Sequence, residues 1–269
     1  MSSKSPRFGV LQWNGRADWA ANRGVIEAGL VRLAGDGATH VLLPENLVSM
    51  PARMTDLHAL AEDEQGPVHA FLAEQARTHG LWLVAGSLPW RAADAPADAR
   101  LRARSVVLSP EGRIVARYDK RHLFDVSVPG GRDYRESAVF EAGQQTVVVQ
   151  AGDVRIGLSI CFDLRFPEHY RALVAAGAQV LVVPAAFTAA TGEAHWSALL
   201  RARAIENQCC VVAAGMVGTH ADGNRTWGHS MVIDAWGRVL ADAGRDDPGA
   251  ILADIDLGEI EDLRRRFPV

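Results

Sequence analysis

The 269-residue chain is poor in cysteine, in long apolar runs and in surplus charge, and each shortage closes a class of function. Its three cysteines, Cys161, Cys209 and Cys210, cannot build a disulfide framework. With no Cys-x-x-Cys and no His-x-x-x-His pair, a structural zinc site is not expected. No stretch approaches the ~18 apolar residues of a membrane helix. The run Phe8-Gly9-Val10-Leu11, after a polar N-terminus, is too short for a signal-peptide core. A reduced, cytoplasmic protein is the expectation. Lys plus Arg number 28 against 32 for Asp plus Glu, a net charge of −4, so nothing draws the chain generally to nucleic acid or an anionic membrane. Arg264-Arg265-Arg266 reads as a solvated last helical turn that complements the helix dipole. Carboxylates and histidines do not cluster at metal spacing, and neither a metal nor another cofactor is expected.

What is present is an ordinary globular balance, 48% hydrophobic and 22% charged. Periodicity predicts alternating strands and helices. A strand over 7–12 is followed by a helix capped by Asp18 that ends at Gly35-Asp36-Gly37. The buried strand HVLL then stops at Pro44-Glu45-Asn46. Gly66-Pro67 opens a helix with Val68, Phe71, Leu72 and Ala76 on one face, closed by Gly80. Hairpins are predicted around Pro110-Glu111-Gly112-Arg113, around AGD at 151–153, and around AWGR at 235–238. Between the last two lie a helix after Pro167, the strand QVLVVPAAF, a helix from about Glu193 to Gln208, and the strand CCVVAAGMV. A last strand and a short helix complete the chain. There is no internal sequence repeat and no linker. The mixture predicts a layered α/β sandwich in a single domain.

Three reactive side chains share one placement: Glu45, Lys120 and Cys161 each follow a predicted strand. Ligands bind at the carboxyl ends of strands in open α/β sheets. Singly, each has an ordinary reading as a turn glutamate, a solvated hairpin lysine and an inert buried thiol. Together they suggest covalent catalysis. Cys161 stands where a strand turns toward a helix, as a nucleophile elbow does, and a helix N-terminus lends a sulfur thiolate character. Histidine is the usual partner of such a cysteine. His122 comes nearest, and a papain-like pair would need it. A glutamate beside a thiol in a water-poor pocket can take the proton instead. A lysine, with a backbone N–H beside the cysteine, can hold the oxyanion.

The segments LLPENL around Glu45, YDKRHLFDVSVPGG around Lys120 and GLSICFDLRFPE around Cys161 resemble the nitrilase superfamily of carbon–nitrogen hydrolases. AAFTAATGEAHWSALLRARAIENQ and WGHSMVIDAWGRVLA extend the resemblance, which runs from Phe8 to Pro268-Val269. It implies that Glu45 is the general base, Lys120 the oxyanion-stabilising cation and Cys161 the nucleophile. Glu136 in YRES would orient Lys120 and the substrate amide, and the Phe162 backbone N–H would join Lys120 at the oxyanion. It also implies a four-layer α-β-β-α sandwich over residues 1–269, with 1–6 a flexible tail, that pairs into a homodimer and needs no cofactor.

Within the superfamily, RFPE, TGEAHWSALLRARAIENQC and GHSMVIDAWG resemble the branch containing deaminated-glutathione amidase. The ω-amidase branch, acting on 2-oxoglutaramate, shares HLFD and TG-x-AHW. The implied reaction is hydrolysis of a side-chain amide in a small 2-oxo carboxylate, through a Cys161 acyl-thioester and with release of ammonia. Hydrolysis of another small amide, or acyl transfer, is the alternative. Such substrates call for a cationic side chain. Arg165 is the candidate, with an ion pair to Glu168 or Asp163 as its structural alternative. Phe124, Phe187 and Thr188 serve equally as pocket walls or as core.

Overall fold

A computed structural model describes residues 5–128 and 133–269. Of the expected tail, Met1 to Lys4 lie outside the described residues, as do Pro129, Gly130 and Gly131 of the lysine segment. Pro6 corrects the tail expectation. It is buried, and its carbonyl accepts the Ile255 N–H at 2.9 Å.

Strand β1 (Arg7–Gln12) leads to α1 (Trp19–Gly35), whose N-cap Asp18 accepts the Ala21 N–H at 3.0 Å. After β2 (His40–Leu42), α2 (Pro67–His79) opens on a proline, whose missing N–H is no loss in a first turn. It closes on Gly80 at φ 63°. A meander of β3 (Trp82–Trp90), β4 (Arg102–Leu108) and β5 (Ile114–Asp119) follows. A small hairpin of β6 (Asp125–Ser127) and β7 (Asp133–Arg135) comes next. The second half runs β8 (Val148–Ala151), β9 (Val154–Leu158), α3 (Pro167–Ala175), β10 (Val180–Ala185), α4 (Ala189–Asn207) and β11 (Cys210–Gly215). It continues with a second small hairpin, β12 (Val217–Thr219) and β13 (Arg225–Trp227). It ends in β14 (Met231–Ile233), β15 (Val239–Asp242), β16 (Gly249–Asp254) and α5 (Leu257–Arg266).

Two six-stranded sheets result, ordered β16-β1-β2-β3-β4-β5 and β15-β14-β11-β10-β9-β8. Each has three parallel strands, β1-β2-β3 or β9-β10-β11, joined by helical crossovers. Each is flanked by antiparallel strands, one on the first side and a two-strand meander on the other. The architecture is therefore doubled although the sequence does not repeat.

Burial follows the period of two. Leu42 and Val84 join the core between the sheets, whereas Val41, Leu43, Leu83 and Ala85 pack under α1 and α2. The expected apolar face of α2, from Val68 to Ala76, meets Ile26, Leu30 and Leu33 of α1 there. With α3 and α4 on the outer face of the second sheet, the layers are α-β-β-α.

Two local expectations change. Helix α4 begins at Ala189 rather than Glu193: the Gly192 N–H already donates to the Thr188 carbonyl at 2.8 Å, closing the first turn. Arg264 is not solvated: it donates to the carbonyls of Ala178 at 2.9 Å and Gln208 at 3.1 Å, pinning α5 to the second sheet. Among the described residues no helix is long and apolar enough to cross a membrane.

Candidate active site

The ends of β2, β5 and β9 open on one cavity of about 300 Å³. That is the lower end of the ~300–1,000 Å³ range for drug-sized ligands. Glu45, Lys120, Glu136, Cys161 and Phe162 all line it, as do Phe124, Phe187 and Thr188.

The backbone is shaped to present these groups. Past β2, Leu43 still donates to the Val84 carbonyl at 3.0 Å, and then the chain swings across β3. Gly86 permits that crossing, since a Cβ there would lie 1.7 Å from the Pro44 carbonyl oxygen. Asn46 takes a left-handed φ of 56°, a conformation asparagine tolerates, and its N–H donates to Ser87 Oγ at 2.9 Å. Lys120 is sealed at the end of β5 by its own backbone, which donates to Ala103 at 3.0 Å and accepts from Gly143 at 2.8 Å. Cys161 has φ 48° and opens a five-residue 3₁₀ turn, Cys161–Arg165. A left-handed non-glycine residue at a strand end is local strain of the kind that gathers at functional sites.

The polar groups form a closed set. Lys120 Nζ donates to Glu45 Oε1 at 2.8 Å and to both oxygens of Glu136, at 3.0 and 2.9 Å. Glu45 Oε2 accepts the Ala186 N–H at 2.8 Å, and Glu136 Oε2 accepts that of Phe124 at 2.6 Å. Lys120 is 2% exposed. Burial alone would strip its proton, but the Glu136 and Glu45 carboxylates reverse that and hold its pKa well above the usual value. Burial raises Glu136, which Lys120 only partly offsets. Burial also pushes the Cys161 thiol well above its ordinary value, and the Glu45 charge acts in the same direction. This corrects the expectation of helix-stabilised thiolate: a short 3₁₀ turn, not an α-helix, follows the cysteine. Burial and the neighbouring Glu45 carboxylate thus both favour the thiol over the thiolate at Cys161.

Asp163 ties the two sides together. Fully buried, it accepts from the Ile160 N–H at 2.8 Å, Tyr118 Oη at 2.6 Å and the His122 N–H at 3.0 Å. His122 Nδ1 lies 2.6 Å from the same carboxylate. Tyr118 and His122 flank Lys120 in the chain, and Ile160 precedes Cys161. One carboxylate thus sets the position of the lysine loop relative to the cysteine turn. Nothing in the sequence marked this role beyond the nearness of Asp163 to Cys161.

Two sequence candidates are placed elsewhere. Arg165 does not line the cavity: its guanidinium lies 5.1 Å from the Phe187 ring centroid and 5.9 Å from that of Phe162, with His195 Nδ1 3.3 Å away. His122 stacks on Phe166 at 3.7 Å, and no histidine lines the cavity among the described residues. A Cys–His pair therefore has no support in this geometry. Three groups at the site had no signal in the sequence: the Ala186 N–H, a backbone group without a signature, and the cavity arginines Arg135 and Arg225.

A family profile described as Carbon-nitrogen hydrolase matches residues 7–265. The chain belongs to the carbon–nitrogen hydrolase family. It is a hydrolase of carbon–nitrogen bonds other than peptide bonds. Among similar members, a Yersinia enterocolitica protein named deaminated glutathione amidase is 37% identical, with 99% of this chain and 92% of that protein aligned. A Homo sapiens protein of the same name is 42% identical over 90% of this chain and 74% of its own. In three dimensions the carbon–nitrogen hydrolase fold is shared with the C. elegans NitFhit protein, with TM-score 0.91 and 35% identity. That alignment covers all of this chain and 65% of the NitFhit chain.

Proposed function

We propose that this hydrolase is a thiol-dependent amidase acting on deaminated glutathione, in which Glu45, Lys120 and Cys161 carry the chemistry. The observation that supports it most is the buried Glu45–Lys120–Glu136 set beside Cys161, within a cavity large enough for more than a small amide. As the Cys161 sulfur bonds to the amide carbon, its proton passes to Glu45 and the carbonyl π pair moves onto oxygen. Lys120 and the Phe162 backbone N–H stabilise that oxyanion. Glu45 then protonates the nitrogen as the carbon–nitrogen bond breaks. Water, giving a proton to Glu45, attacks the thioester carbon, and the carbon–sulfur bond breaks with return of the proton to sulfur.

For a primary amide the leaving group is ammonia. In deaminated glutathione the amide nitrogen belongs to cysteinylglycine, and that dipeptide leaves instead. Glu136 orients Lys120. Arg165 contributes positive charge from behind the Phe162–Phe187 wall rather than by touching substrate.

The test follows 2-oxoglutarate, the acid product of both deaminated glutathione and 2-oxoglutaramate. A kcat/KM of ~10⁴ M⁻¹s⁻¹ or more for the former, far below that for the latter, is expected. The reverse order would make the protein an ω-amidase. No turnover of either would remove the substrate and leave the family chemistry. We further propose one domain over residues 1–269, acting in the cytoplasm as a homodimer. Exposed Trp236 and Phe267, with rings 6.2 Å apart, leave apolar surface for a second copy. A solution mass equal to one chain would dismiss the dimer.

A further inference from the structure

Resting on that amidase reading and extending it to the amine half of the substrate, we propose that Arg225 at the cavity mouth binds the carboxylate that terminates the leaving amine. The order of events sets the direction. In a two-step acyl transfer the amine departs and water enters before the acyl group is released, so the amine half lies on the solvent side of Cys161. The anionic end of cysteinylglycine therefore reaches the mouth.

Three cationic side chains line the cavity among the described residues: Lys120, Arg135 and Arg225. Lys120 is already matched by two carboxylates. Arg135 donates to the Tyr134 carbonyl at 3.1 Å and stands opposite Asp125 in the β6–β7 register. Arg225 is exposed and makes no ion pair among the described residues. Of the carboxylates at the mouth, Asp222 accepts from the Asn224 N–H at 2.9 Å and from Asn224 Nδ2 at 2.6 Å, and Asp133 lies on β7 across the opening.

The backbone that carries Arg225 is held against the pocket wall. Trp227 N donates to the Phe187 carbonyl at 2.9 Å, and Thr226 bridges Thr188. Tyr134 Oη donates to Asn224 Oδ1 at 3.1 Å, joining the two small hairpins across the mouth. The cavity wall also includes Met50 and Met54, adaptable thioethers suited to a thiol-bearing methylene. A guanidinium on a short pinned strand, with no carboxylate partner among the described residues, is matched to a terminal carboxylate by paired N–H donors.

The experiment crosses a protein change with a ligand change. Unaltered enzyme and Arg225→Gln are each given deaminated glutathione and its analogue with the glycine carboxylate converted to carboxamide. Roughly a tenfold rise in KM with kcat retained is expected for Arg225→Gln on the acid, in line with a solvent-exposed charged hydrogen bond. The analogue should raise KM of the unaltered enzyme by a similar factor, and both changes together should cost no more than either alone. Arg225→Lys should recover part of the loss. Losses that multiply, or an Arg225→Gln enzyme that handles the acid as well as the unaltered one, would overturn the assignment. Should the unaltered enzyme cleave 2-oxoglutaramate but neither longer compound, the substrate reading itself has failed before any variant is made, and the subsite falls with it.

Discussion

The first sheet and the second repeat one strand order, yet their matching strand ends carry different groups. The end of β2 turns into Glu45, while the end of its counterpart β10 supplies the Ala186 N–H and the Phe187 and Thr188 wall. The end of β9 turns into Cys161, while its counterpart β1 runs on into buried Trp13. Each sheet also braces a cavity residue of the other. Ala186 of the second half holds Glu45 of the first, and Tyr118 and His122 of the first half hold Asp163 beside Cys161. The lesson is that a shared strand plan decides where strand ends emerge but not what chemistry they bear. The site exists only where the two halves meet.

Substitutions can break this reciprocity in order of severity. If Cys161 is the nucleophile proposed above, Cys161→Ala should lower kcat by ~10⁴-fold or more, with the unfolding transition preserved. Turnover near the original rate would discard the covalent route. Lys120→Ala should cost at least ~10²-fold in kcat if it holds the oxyanion. It should also destabilise the fold by about 3–5 kcal/mol, because Glu45 and Glu136 are then left buried without a cation. A rise in KM alone, with kcat unchanged, would make Lys120 a binder of substrate.

Asp163→Asn keeps the shape of the brace and removes its charge. A loss of ~10-fold or more in kcat with little change in KM is expected, as for groups that orient a reacting residue through another. If kcat holds while stability falls, Asp163 supports the fold and does not set the site.

The smallest effect compares the halves through their buried histidines. Burial lowers the pKa of His40 on β2, and likewise of His169 on α3 and His220 beyond β12. For each, the unfolded chain takes up a proton first as pH falls below 6.5. Their stabilising contribution is thus present above that value and fades as pH drops toward the lowered folded values. Each ring contributes about 1.4 kcal/mol for every tenfold by which folding weakens its hold on a proton. Urea midpoints should fall between pH 7.5 and 5. His40→Gln should flatten one part of that slope and His169→Gln another. A midpoint that rises on acidification would contradict the neutral, buried state of these rings.

Much of the fold was legible because its signals are local. Asp18, Pro67 and Gly80 mark helix ends by their own backbone chemistry, and HVLL or VLVVP reads as strand by composition. The positions of Glu45, Lys120 and Cys161 after strands were equally plain. The small hairpins β6–β7 and β12–β13 were not, since three-residue strands carry too short a period to register. Helix α4 starts earlier than its apolar spacing suggests, because its first turn is closed by a backbone bond from Gly192 to Thr188, which side-chain periodicity does not register.

By itself the sequence determined the reactive residue types, their placement at strand ends and the absence of any surplus charge or disulfide scaffold. These are properties of short segments. Only the tertiary structure decided that Arg165 sits against the Phe187 ring, that Asp163 joins two loops 41 residues apart in the His122 contact, and that Arg225 lines the cavity. It also decided that burial and the Glu45 charge push the Cys161 thiol above its ordinary range. Those outcomes depend on distance and burial between segments remote in the chain, which no local pattern encodes.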